Sequence, residues 1–290
     1  MRKNEKWSIA YRRRTDRKTL LDDLSSPFCV VPNTWRYWRA DPFLFEKEGK
    51  TYLFAELFDR VKARGVLGCC ELNDSGAKRW EVIIDEPFHL SYPFIFQRGN
   101  EVYLIPESYK SGKITLYRAV RFPNQWKKVR DLADMVAVDS TVVDTADGSY
   151  MITVRIVNGD AELVVMRLNE QLEPEDVRII SEKEDPHIRP AGNVFSWNSQ
   201  TIRPAQDCTK SYGYALNFFR VSALDNTHYT EELIRKVLPE DVTIQGVRKP
   251  QGMHTYNFTD RYEVIDFKEY EFGLVGKVAK AIRLLTRKAR

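Results

Sequence analysis

Apolar and polar residues alternate along residues 41–56, DPFLFEKEGKTYLFAE, and again along residues 92–107, YPFIFQRGNEVYLIPE. In each stretch two short runs of period two flank a polar turn with a glycine, Glu48-Gly49-Lys50 in the first and Arg98-Gly99-Asn100 in the second. This pattern predicts a β-hairpin with one buried and one solvated face. Superposed without a gap, the stretches share Pro42/Pro93, Phe43/Phe94, Phe45/Phe96, Tyr52/Tyr103, Leu53/Leu104 and Glu56/Glu107. Six identities in sixteen positions define an internal repeat, and its copies start 51 residues apart, within the period of β-propeller blades.

Weaker copies follow. Asp139 to Val143 precedes a turn at Asp147-Gly148 and a run from Tyr150 to Val154; Arg189 to Phe195 precedes a turn at Asn198-Ser199 and Thr201 to Arg203. The starts thus fall at 41, 92, 139 and 189. A less regular fifth unit runs from Gln251 to Asn257, turns near Thr259-Asp260 and continues from Tyr262 to Asp266. The expected fold is all-β, a five-bladed β-propeller over residues 1–271, followed by an amphipathic C-terminal helix over residues 272–290. A two-sheet sandwich would leave the regular spacing unexplained. Trp38, Trp80 and Trp126 recur near the units and are expected to pack between blades. Trp7 to Tyr11 reads as a strand that closes the ring against the last blade.

Composition narrows the class. A chain of 290 residues with 43% hydrophobic and 12% aromatic content can bury a large core. No run of 18 apolar residues predicts a membrane span, and the charged start lacks the apolar segment of a signal peptide. Cys29, Cys69, Cys70 and Cys208 show neither a zinc spacing nor a bridging pattern, so a reducing, cytoplasmic compartment and no metal are expected. The net charge of +4 is segregated: residues 1–18 carry +6, residues 273–290 carry +6, and the body between carries −8. An acidic body without a recognition motif argues against a nucleic-acid partner. From Leu274 to Leu285, helical spacing puts Leu274, Val275, Val278, Ala281, Ile282 and Leu285 on one arc, with the cations opposite. That distribution predicts attachment to an anionic membrane surface, on the inner face of the cell membrane. Arg12-Arg13-Arg14 either adds to it or simply follows the closing strand.

A propeller gathers the starts of its inner strands around one funnel. Asp41, Tyr92 with Ser91, Asp139, Arg189 and His254 are expected there, joined from the second-strand ends by Glu56, Glu107, Arg155, Arg203, Gln206 and Asp207. Carboxylates can do acid–base work or accept sugar hydroxyls, aromatics such as Tyr92 and Tyr256 offer flat faces, and arginines grip phosphate or carboxylate. Phosphate loops, nucleophile elbows and zinc motifs are absent from the sequence, so no cofactor is expected.

In order along the chain stand Trp38-Arg39-Ala40-Asp41-Pro42-Phe43, Glu86 to Phe94, Ile105-Pro106-Glu107-Ser108, Leu116-Tyr117-Arg118-Ala119, Asp139-Ser140-Thr141, Arg189-Pro190-Ala191-Gly192, Arg203 to Cys208 and Gly252-Met253-His254. Over residues 5–270 this series resembles the N-terminal domain of glucosamine inositolphosphorylceramide transferases and its stand-alone bacterial relatives. The resemblance implies a five-bladed propeller similar to glycoside hydrolase families 43 and 32. It implies that Asp41 is the base or nucleophile and that Asp139 tunes the acid and holds substrate. The fourth-blade glutamate that acts as general acid in those hydrolases has no counterpart here, which leaves Glu107 or Asp207 to supply the proton. The expectation is therefore catalysis by Asp41, Glu107 and Asp139, with Glu56, Tyr92, Arg189, Arg203, Gln206, Asp207 and His254 binding a sugar or activated sugar. The activity expected is glycosyl transfer in surface polysaccharide or glycolipid assembly, beside a partner glycosyltransferase. A non-catalytic glycan-binding module and a glycosidase with a displaced acid are the alternatives.

Overall fold

The computed structural model describes residues 4–181, 185–271 and 278. Five antiparallel sheets form among the described residues, and each is one blade. Blade 1 runs Tyr37–Lys47, Lys50–Asp59 and Arg64–Asn73, with Gly76–Ala77 and Glu81–Ile84 both paired to the third strand. Blade 2 runs Ser91–Arg98, Glu101–Glu107, Ile114–Arg121 and Gln125–Ala133; blade 3 runs Ala137–Thr145, Gly148–Val157, Asp160–Leu168 and Pro174–Ile179. Blade 4 consists of Phe195–Trp197, Gln200–Asp207, Ala215–Leu224 and Tyr229–Val237. Blade 5 is assembled from both ends of the chain, in the order Tyr256–Phe258, Tyr262–Glu271, Asn4–Arg13 and Cys29–Val31. The strand containing Trp7 to Tyr11 closes the ring as expected, in register from Asn4 opposite Glu271 to Arg13 opposite Tyr262.

Local chemistry explains the hairpins. In blade 1 the turn residues Glu48 and Gly49 both have positive φ, 52° and 74°, the conformation whose twist matches paired strands. Apolar side chains then pack between neighbouring blades. Phe43, Phe54, Phe94 and Leu104 fill the space between blades 1 and 2, Ile9, Leu53 and Val264 that between blades 5 and 1. Each such side chain contributes about 1.5–3 kcal/mol by leaving water. Two of the tryptophans follow suit, Trp126 meeting Phe54 of blade 1 edge-on and Trp80 packing in the cluster between blades 5 and 1, whereas Trp38 stacks at 4.5 Å on Phe58 of its own blade.

The arginine run serves the fold. Buried Arg12 pairs with buried Glu263 at 2.6 Å and donates to the Ser26 and Asp23 carbonyls. Arg13 pairs with Asp74, and Arg14 donates to the Thr259 and Lys18 carbonyls. Arg12 and Arg14 are thus engaged by loops and neighbouring strands, whereas Arg13 keeps most of its side chain in solvent. The expected C-terminal helix lies, apart from residue 278, outside the described residues, and no helix among those residues is long and apolar enough to cross a membrane.

A charge-lined funnel as candidate functional site

The inner strands of blades 1 to 3 share one irregularity. Between Ala40 and Phe43, Ser91 and Phe94, and Val138 and Thr141 the register slips by a β-bulge. The first extra residue of each has positive φ: Asp41 at 51°, Tyr92 at 43° and Asp139 at 54°. A bulge re-aims a side chain, and these three turn it towards the ring centre. Aspartate tolerates this left-handed conformation, whereas tyrosine adopts it only under constraint.

That constraint is a ring of hydrogen bonds linking all five blades. Asp266 of blade 5 accepts from the Asp41 backbone N–H at 3.0 Å, and Asp41 accepts from the Tyr92 N–H at 3.1 Å. The Tyr92 hydroxyl meets Thr141 Oγ1 at 2.8 Å and accepts from the Gly192 N–H at 2.8 Å. Asp139 holds Arg189 of blade 4 at 2.6 and 2.7 Å. Asn193 donates its N–H to Asn257 of blade 5, and Asn257 donates to the Pro42 carbonyl of blade 1. Gly192 is required here: at φ 132°, an added Cβ would lie 2.0 Å from the Tyr256 carbonyl oxygen.

Around this ring the carboxyl groups crowd. Burial, reinforced by Asp266 and Asp139, pushes Asp41 up to about 6 despite the opposing pull of His254. Glu107 is pushed up to about 8 by burial and then by Asp139, against Arg189. Glu56 rises well above the usual carboxylate range through burial and the neighbouring Asp41 and Glu107. Its Oε1 lies 3.4 Å from Nε2 of His89, whose Nδ1 accepts the Gly65 N–H, so the imidazole proton faces Glu56. Burial holds His89 down at about 4, so its imidazole is neutral at pH 7. His254 behaves oppositely. Burial works against its charge, but Asp266 and Asp41 raise its pKa, with Nδ1 2.5 Å from Asp266 and Nε2 3.7 Å from Asp41. Its ring stacks on Trp7 at 3.9 Å.

One flank of the funnel is open. Tyr212, 45% exposed, sits edge-on to His254 at 5.3 Å and under the Arg189 guanidinium at 5.1 Å. The Arg189 side chain keeps a quarter of its surface in solvent, and its Nη2 is 3.6 Å from Glu107. An exposed ring, a guanidinium and a protonated carboxyl thus share one wall.

The structure brings together Asp41, Glu56, Glu107, Asp139, Arg189, Gln206 and His254; Gln206 donates to Asp139 at 3.1 Å. It removes others. Arg203 is 1% exposed and forks onto Glu231, and Asp207 is fully buried with Lys236 and Thr209. Side chains alternate along Gln200–Asp207, so Gln206 and the odd-numbered pair point to opposite faces. Asp207 is therefore no proton donor for the funnel. Arg155 pairs with Glu162. Tyr92 and Tyr256 have no exposed surface, so neither offers a face to a sugar. With Arg189 held by Asp139 and the other two arginines paired elsewhere, the expected phosphate grip is not formed.

Residues missing from the sequence reading complete the site. Asp266 is a lone acid in the apolar run Val264-Ile265-Asp266-Phe267, a signal available in hindsight. Tyr212 lies in a loop between strands and carries no such signal. Asp41, His254 and Asp266 also offer three potential metal-ligand atoms within 4.8 Å of one another. Proton donors already serve their carboxylate oxygens: His254 and Thr255 N–H on Asp266 Oδ1, Asp41 N–H on Oδ2, Thr255 hydroxyl on Asp41 Oδ1 and Tyr92 N–H on Oδ2. The donor set fits a hydrogen-bond hub better than a cation site.

Fold and funnel define a five-bladed propeller with a buried, carboxyl-rich centre. The family model described as glucosamine inositolphosphorylceramide transferase 1, N-terminal, matches residues 33–259, and the chain belongs to this family. It is 30% identical over 260 residues to glucosamine inositolphosphorylceramide transferase 1 of Oryza sativa subsp. indica, covering 84% of this chain and 34% of that protein. The chain thus spans about a third of that relative. Among solved structures it resembles an α-L-arabinofuranosidase from Podospora anserina in complex with cellotriose, with a TM-score of 0.60, 9% identity, and 80% and 91% of the two chains covered. A family GH43_1 enzyme from Xanthomonas citri gives 0.57 at 12% identity, with 84% and 90% covered. These likenesses establish the shared propeller fold.

Proposed function

We propose that the funnel binds a sugar unit and acts on its glycosidic bond, in the transfer of a sugar during surface polysaccharide or glycolipid assembly. The observation that carries this reading is the convergence of Asp41, Glu107 and Asp139 on one funnel beside Arg189 and the exposed Tyr212 ring, with two of the carboxyls raised to different extents. Glu107 keeps its proton up to about pH 8, and Asp41 releases its own near pH 6. Between those values the site holds one acid and one base, as cleavage at an acetal carbon requires. Glu107 gives its proton to the leaving oxygen, and Asp41 accepts the proton of the incoming hydroxyl. Tyr212 offers the stacking face. Asp139 positions Arg189 and Gln206 around the hydroxyls. The relatives named as transferases favour an acceptor alcohol over water. The cations and apolar residues alternating over residues 273–290 support delivery to an anionic, cytoplasmic membrane face, where a partner glycosyltransferase would work.

The second reading, a non-catalytic glycan-binding module, is favoured by the hydrogen bonds that occupy both oxygens of Asp41. Incubation with a panel of nucleotide sugars, sugar phosphates and oligosaccharides, with and without acceptor glycans, decides between them. Turnover by the intact chain should fall about 10²-fold or more in Glu107→Gln while sugar binding persists. Binding without turnover in both proteins would establish the module instead. Membrane delivery is checked separately by co-sedimentation with anionic vesicles. Ile282→Asp should weaken it, and added salt should reduce it; equal pelleting of both proteins would remove the membrane part of the reading.

A further inference from the structure

Outside the funnel, the side of blade 1 that faces blade 5 carries a groove of about 630 Å³. Its aromatic residues are Trp35, Tyr37 and Trp80, and Trp35 is 58% exposed. Four cations line it, Arg36, Arg39, Lys78 and Arg79, and no Asp or Glu does. The cations are not equivalent. Arg36 is neutralised by Asp59 at 2.7 Å. Arg39 is only 3% exposed, yet its contacts are the Pro32 carbonyl at 2.6 Å, the Asn33 side-chain oxygen at 3.4 Å and the face of Trp80 at 4.9 Å. Its Nε has no hydrogen-bond partner. A buried guanidinium without a carboxylate is costly unless an anion comes to it.

We propose that this groove binds an acidic saccharide, one sugar ring lying on Trp35 and its carboxylate or phosphate reaching the Arg39 guanidinium, with Lys78 and Arg79 at the rim. An exposed indole beside hydrogen-bond donors suits a pyranose, whose axial C–H face is apolar and whose edge is polar. A single anionic group matches the one uncompensated buried cation. A long polyanion does not fit, because the chain between the two basic ends carries −8. The site would hold an acidic glycan on the flank of the propeller independently of what the funnel does.

The test is calorimetric titration of the full chain with a hexuronate oligosaccharide, a hexose phosphate, a neutral oligosaccharide and adenosine monophosphate. The first two ligands separate carboxylate from phosphate as the anion. At least one should bind about tenfold or more tightly than the neutral sugar, and Trp35→Ala should weaken it about tenfold. The double variant Lys78→Glu/Arg79→Glu should weaken it further and flatten its salt dependence, whereas Asp139→Asn in the funnel should leave it unchanged. All these substitutions except Asp139→Asn lie on the surface of the groove, so folding is checked by an unchanged circular dichroism spectrum. Equal binding of neutral and acidic sugars, tighter binding of the nucleotide, loss of binding in Asp139→Asn, or no acidic-sugar binding at millimolar concentration would overturn the proposal. None of those outcomes bears on turnover in the funnel.

Discussion

Blades 1 to 3 and blades 4 and 5 build one funnel by different means. In the first three, full-length inner strands carry a bulge whose left-handed residue is Asp41, Tyr92 or Asp139. In the last two the inner strands shrink to Phe195–Trp197 and Tyr256–Phe258. The segments before them are joined to their neighbours by scattered bonds, such as Ala191 N–H to the Pro204 carbonyl and Lys268 N–H to the Gly252 carbonyl. The regular half supplies Asp41, Glu56, Glu107 and Asp139. The irregular half supplies Arg189 and His254, whose pKa Asp266 and Asp41 raise, with Asp266 as a brace. Pro190 cannot donate to a ladder, and Gly192 has no Cβ, so that segment gives up regular pairing for close approach to Tyr92. The irregular segment thus brings the Arg189 guanidinium to meet Asp139 of the regular half.

The largest effect expected from breaking this contrast comes from Gly192→Ala. With backbone oxygen 2.0 Å from the new Cβ, the segment must shift, and the loss should exceed about 3 kcal/mol or abolish folding, read by thermal denaturation. An unchanged melting temperature would show that the blade 4 segment is not pinned. Arg189→Met comes next. It strands Asp139, and a penalty of about 2–4 kcal/mol is expected, at the lower side because the guanidinium is a quarter exposed. The double variant with Asp139→Asn should recover most of it; no recovery would mean the two halves are not coupled through this pair. Tyr92→Phe keeps the ring but leaves the Gly192 N–H without its partner, for roughly 1–2 kcal/mol in urea denaturation.

The smallest effect is a pH dependence. Glu107 has its pKa raised on folding, so the folded chain binds more protons than the unfolded one above about pH 4.5, and stability contributed by this group is lost as pH rises through about 8. Glu107→Gln should therefore flatten the decline of melting temperature between pH 5 and about 9. A parallel decline in both proteins would place the strain on another carboxyl.

How much of this was legible depended on which half was read. The hairpins of blades 1 and 2 show themselves because alternation and glycine turns are local, and Asp41, Glu107 and Asp139 follow from the repeat. Strand closure by Trp7 to Tyr11 was legible for the same reason. Arg203 and Asp207 were misplaced because facing is a matter of parity: one residue along a strand reverses the face. Tyr92 occupies the same repeat position as Asp41, yet its longer side chain crosses the centre to blade 4. Repeat position sets direction, and side-chain length sets the destination. Tyr212 could not be found, since a loop residue acquires its neighbours only when distant strands assemble.

The pairing of Asn4–Arg13 with Tyr262–Glu271 also sets a timetable. The strand that closes the ring is made long before the partner it pairs with. At about 5–20 residues per second, ribosomal synthesis keeps it waiting for roughly 12 to 50 seconds before its partner emerges. Through that interval the nascent chain presents an unpaired strand edge to solvent, together with Ile9 and Trp7, which later lie buried. The Asp41 N–H likewise has no Asp266 to bind until the final blade arrives. Until that blade is made, the ring of hydrogen bonds through Asp41 and Asn257 stays open.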